Sequence, residues 1–168
     1  WVELDASSAL GNSAPAGNGG AFSFITSTLV IIGGTLNGNS ALGNGGAIYA
    51  LTTTITATGG ILNQNAAQLS GGALYILTGT VASTASSLAQ NSAQQHGGAI
   101  FGSHSGLVID GGSLTDNRVT IGSGGAIFWN GEYFTATNGL LLRGNLAGSD
   151  AFARQADCVP GAGKTSHV

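Results

Sequence analysis
The feature that most constrains this chain is a spaced repeat. Gly-Gly-Ala or its close copy, followed each time by a large apolar residue, starts at Gly19, Gly45, Gly71, Gly97 and Gly124. A period of about 26 residues leaves room for one supersecondary unit per repeat, and a single unit of that size cannot bury its own apolar face. A second marker keeps step. Leu stands three positions before Asn at Leu36/Asn39, Leu62/Asn65, Leu88/Asn91, Leu114/Asn117 and Leu142/Asn145, with a weaker copy at Ala9/Asn12.

Laying the units over one another gives apolar columns. Phe22, Ile48, Leu74, Ile100 and Ile127 follow the Gly-Gly-Ala motif, and Leu29, Ile55, Val81 and Leu107 come next. Small or polar residues alternate around each column, the period-2 pattern of a half-buried strand. No helical period competes. The pattern predicts three short strands per unit, stacked coil on coil. The expected fold is all-β: a single parallel β-helix, or solenoid, of five to six coils over residues 1–145, with residues 146–168 as a C-terminal tail. Equivalent positions then lie about 4.8 Å apart. Paired glycines suit a corner with unusual backbone angles. The column Asn39, Asn65, Asn91, Asn117 and Asn145 suits a structural ladder whose amides bond the coils above and below.

Composition agrees and narrows the function. Thirty glycines accompany only two prolines, which excludes collagen and Pro-rich disorder. Charged residues are 7% of the chain, against roughly 25% in an average domain. With four Lys and Arg in all and a net charge of −3, nucleic acid is not an expected partner. No apolar run reaches the length of a transmembrane segment. The chain starts at Trp1 and has no Met, which reads as a secreted, extracellular or cell-surface product after removal of a signal peptide. Cys158 is alone, so neither an internal disulfide nor a cysteine zinc site is expected.

The segments "NSALGNGGAIYA", "NQNAAQLSGGALYI" and "NSAQQHGGAIFG" resemble the polymorphic outer-membrane protein repeat, whose paired signatures are GGA[ILV] and FxxN. Leu36, Leu62, Leu88 and Leu114 occupy the Phe position and keep its buried role. The resemblance spans about residues 9–145. It implies a right-handed β-helix on a secreted or surface-exposed protein, often an adhesin or autotransporter passenger. It brings no catalytic residue with it.

The residues themselves offer little chemistry. Glu3, Asp5, Asp110, Asp116, Glu132, Asp150 and Asp157 form no pair of the kind that glycoside hydrolysis requires. Asp110 and Asp116 read as solvated turn residues, and His96, His104 and His167 lack metal-ligand spacing. "GAGKTS" has Cys158 where a phosphate loop needs its first Gly. No enzyme activity, cofactor or metal is expected.

The outside is more informative. Strand parity turns Tyr49, Tyr75, Phe101 and Phe128 outward as a candidate contact stripe. Another face carries Thr54, Thr56, Thr58, Thr80 and Thr84, loosely like an ice-binding array, but the pattern lapses at Val30, Ile32, Gly106 and Val108. The open ends of a β-helix present unpaired backbone groups, which the tail either caps, with a short helix from Ser149 or Asp150, or carries onto a neighbour. The leading expectation is a structural extracellular subunit that assembles end to end, as a homo-oligomer, into a filament or surface layer. The alternative is an adhesin-like binding module for a glycan or a host surface.

Overall fold
The structure, a computed structural model, describes residues 1–148 and 158–160. Among them every regular element is a β-strand and every strand pairing is parallel. The chain winds into a β-solenoid of about six turns, in line with the repeat. Three faces recur in each coil. The first holds the strands Phe22–Ile32, Ile48–Thr58 and Leu74–Thr84 and their counterparts. The second holds the Leu-column strands, such as Ser87–Ala89 and Ser113–Thr115. The third holds two-residue strands, such as Ser40–Ala41 and Ala66–Ala67.

One difference from the sequence pattern has a simple physical origin. The Gly-Gly-Ala strand and the Leu29-column strand are predicted as separate pieces, yet in three consecutive coils they form one strand of 11 residues. Ile48 and Ala50 point inward, Leu51 and Thr52 both point outward, and Thr53, Ile55 and Ala57 point inward again. This slip in parity bends the strand around the core while pairing continues on both sides of it. In the next coil His104 adopts a left-handed conformation, with φ of 50°, and divides the strand into Ile100–Ser103 and Ser105–Asp110.

The Gly-Gly pair carries two distinct constraints. Gly45 has φ of 67°, and a Cβ there would lie 2.1 Å from the carbonyl oxygen of Ile48. Gly46 is held by space instead: its Cβ would meet the carbonyl oxygen of Gly72 in the next coil at 2.1 Å. The motif thus combines a backbone twist with close contact between coils. The extra residues of the later coils fall between faces. Asn65 bonds Asn91 across 26 positions and Asn117 bonds Asn145 across 28, yet both pairs hold the same geometry. Insertions at corners leave every column in register.

The core is continuous along the axis. Leu29, Ile31, Leu36, Ile48, Ile76, Ile100, Leu107, Leu114 and Ile127 are 2% exposed or less. Trp129 is also buried, and it fits because the coil below offers Gly102, where a Cβ would lie 1.9 Å from the indole. A void of about 20 Å³ among Ile31, Leu62, Leu74 and Leu88 has room for no more than one water. Among the described residues the core columns are closely packed along the axis.

Candidate functional site
The Asn column sits at the corner between the second and third faces. Asn39, Asn65, Asn91 and Asn117 are fully buried and Asn145 is 4% exposed. The side chains of Asn39, Asn65, Asn91 and Asn117 each bond in both directions along the axis, and that of Asn145 bonds to the coil before it. The Oδ1 of Asn65 accepts from the backbone N–H and the Nδ2 of Asn39. Its own Nδ2 donates to the carbonyl of Leu36 and to Oδ1 of Asn91. The same pattern runs from Asn12 to Asn145.

Two further ladders escaped the sequence reading. Asn37 Oδ1 accepts from Asn63 N–H, and Asn63 Oδ1 accepts from Ala89 N–H, both at 2.8 Å. Asn18 Oδ1 accepts from Asn44 N–H, and Asn44 Oδ1 from Ser70 N–H. The signal was present, since both Asn pairs are spaced by one repeat, but each is too short to stand out from the turn residues around it.

The aromatic residues face outward and stack on one another. Ring centroids are 5.2 Å apart for Tyr49 and Tyr75, 4.7 Å for Tyr75 and Phe101, and 5.5 Å for Phe101 and Phe128, with interplanar angles of 16°, 7° and 2°. The faces of the inner rings are thus occupied by neighbours, and the stripe shows mainly ring edges to solvent. Burial, and secondarily the nearby Tyr49, raises the pKa of the Tyr75 hydroxyl. His96 lies 4.5 Å from the Phe128 ring and continues the column of Asn44 and Ser70. Burial lowers its pKa.

A groove runs along the third face. Ala14, Ala41, Ala67 and Ala93 lie along it, flanked by the Ser13, Ser40 and Ser92 column and by Leu42, Gln68 and Gln94. Its volume is about 530 Å³. The next coil places Arg118 and Val119 where the groove has Ser and Ala.

The remaining candidates do not gather. Among the described residues no group of three or more His, Cys, Asp or Glu is assembled. Asp110 accepts a 2.7 Å bond from Thr137 Oγ1 and another from Asn138 Nδ2, so it fastens two coils at a corner. No helix among the described residues is long and apolar enough to cross a membrane. Of the tail, Cys158–Pro160 pairs in parallel with Ile127–Trp129, extending the first face by one strand. The rest of the tail, including the expected capping helix from Ser149 or Asp150, and His167, lies outside the described residues.

Comparison with known proteins gives one match. Residues 33–51 match the family model of the Chlamydia polymorphic membrane protein repeat. That span includes Leu36, Asn39 and the Gly45–Ile48 motif, both signatures of one repeat. No curated protein and no solved structure matches the chain. A matched repeat and a solenoid of stacked coils agree: over residues 33–51 the chain is similar to the polymorphic membrane protein repeat, and the same two signatures recur coil after coil along a β-solenoid.

Proposed function
We propose that this chain is a non-catalytic structural module, exported to the cell exterior, whose coils stack end to end with those of a second copy to build a filament or surface layer. The observation that carries this is the state of the core columns at their ends. Leu29, Ile31 and Leu36 are sealed inside the stack, whereas their partners in the first coil, Val2, Leu4 and Ala9, are only partly buried. At the other end Leu142 and Ala136 are partly buried beyond Leu114 and Ile109. Exposed apolar side chains are present at both ends, Trp1 and Leu10 at one and Leu141 and Leu146 at the other, as well as along the body at Ile25 and Ile121.

A copy added in register would bury these groups and pair the edge strands that have no neighbour among the described residues, such as Val2–Asp5 at one end and Tyr133–Thr137 at the other. The contact is head to tail, so it propagates instead of closing. No Lys guards either edge among the described strands. Sedimentation velocity and electron micrographs of the whole chain test this. Rods longer than one solenoid, indifferent to salt and shortened by Leu142→Glu, are expected; monomers at every concentration would overturn it.

A binding module for a glycan or host surface is the second reading, favoured by the neutral groove along Ala41, Ala67 and Ala93. A glycan array probed with the whole chain and with Ala67→Leu tests it. Binding lost on filling the groove supports this reading, and absence of binding by the unmutated chain removes it.

A further inference from the structure
We propose that the long-strand face is an ice-binding surface. The register of three consecutive strands sets outward residues in a grid. Its rows are Thr26, Thr28, Val30 and Ile32, then Thr52, Thr54, Thr56 and Thr58, then Thr78, Thr80, Ala82 and Thr84. Nine of the twelve positions are Thr, and the other three are apolar. Thr28 and Val30 are half-buried and the other ten positions are exposed. Sequence periodicity alone found part of this grid; pairing adds Thr26, Thr28, Thr52 and Thr78, and shows that the lapses at Val30 and Ile32 lie along one margin.

The chemistry of the grid selects its ligand. Among the described residues none of the nine hydroxyls bonds to another protein group, so all are free to bind water. Each Thr sets a methyl beside its hydroxyl, and β-branching holds the pair in few rotamers. Rows are spaced by about 4.8 Å and alternate residues along a strand by about 6.6 Å. These repeats lie near those of the oxygens on a prism face of ice. A ligand matched to such a surface must itself repeat in two dimensions, which a crystal face does.

Other occupants fit less well. Protein interfaces centre on aromatic residues and Arg, and the grid has neither. Acidic residues bound it instead: Glu3 and Asp5 pair beside Val30 and Ile32, and Asp110 pairs beside Thr84. The surface is independent of the stacking ends, and a substitution at its centre leaves Val2, Leu4 and Leu142 untouched.

Ice itself is the probe. Growth of single ice crystals, the freezing-point gap and recrystallisation are followed with the whole chain, with Thr54→Lys, with Thr56→Lys, and with Gln94→Lys on the groove as a control. Circular dichroism and melting temperature verify folding in each. The proposal expects faceted crystals and a freezing-point gap with the unmutated chain and with Gln94→Lys. Both Thr variants should lose the gap while sedimenting like the unmutated protein. Round ice discs with the unmutated chain would overturn the proposal, whatever the variants do. Equal loss in Gln94→Lys would also overturn it. So would a change of oligomeric state in the Thr variants without an effect on ice, which would make the grid a contact between copies.

Discussion

At the residue scale, stability rests on groups that serve two coils at once. Removing the Asn65 amide strands the buried N–H of Asn39 and the carbonyl of Leu36, since both bond to it. A buried group left without a partner costs about 1–3 kcal/mol. Asn65→Ala should therefore lower stability by about 2–4 kcal/mol, allowing for more than one orphaned group, as read by thermal or denaturant melts. An unchanged melt would mean that the amide carries no stacking. Ala85 is the opposite case. It holds φ of 49° in a corner where the equivalent residues, Gly59 and Gly111, have φ of 63° and 65°. A left-handed Ala costs about 1–2 kcal/mol, while Gly adds roughly 0.4–1 kcal/mol of unfolded-state entropy. Ala85→Gly should then be neutral or stabilising by up to about 1.6 kcal/mol, a rare outcome for a glycine substitution. A clear loss of stability would show that the corner does not need the left-handed conformation.

At the element scale, the columns explain which parts of the site could be read in advance. The Asn column, the outward parity of Tyr49 and Tyr75, and the inward Leu and Ile columns are legible because each repeats at constant spacing. The bend at Leu51 and Thr52 was not legible, because a parity slip leaves composition unchanged and shows only in which side chains are buried. The groove was also hidden. Two-residue strands such as Ser40–Ala41 are too short to show alternation.

His96 ties this scale to pH. Neutral, its Nδ1 accepts a long bond from Ser123 N–H, and its ring lies against Phe128. Burial lowers the folded-state pKa below the unfolded value near 6.5, so the unfolded chain takes up the proton first. The stability gained from the neutral ring is whole above about pH 6.5 and declines as pH falls from there towards the folded-state pKa. A melting temperature that drops between pH 7.5 and pH 5, and drops less in His96→Asn, is the expected result. Asn suits the position because Asn44 fills it in the column. Identical pH profiles for the two proteins would place the acid sensitivity elsewhere.

At the scale of the whole molecule, a chain with so little charge and no internal disulfide gains its order from repetition. Each coil buries the face of the next, and ladders of Asn and aromatic rings run with the core along one axis. The in-register stack is the central claim, because the faces, the groove, the Thr grid and the open ends all depend on it. Pairing of Thr54 with Thr80 puts their Cα atoms within the usual disulfide range. Thr54→Cys with Thr80→Cys, in a Cys158→Ser background, should close a disulfide quickly under mild oxidation and leave the spectrum β-rich. The pair Thr54→Cys with Val81→Cys, shifted by one residue and split between the outer and inner sides of the sheet, should not. Equal closure of both pairs, or closure of the shifted pair alone, would contradict the register and with it the solenoid described here.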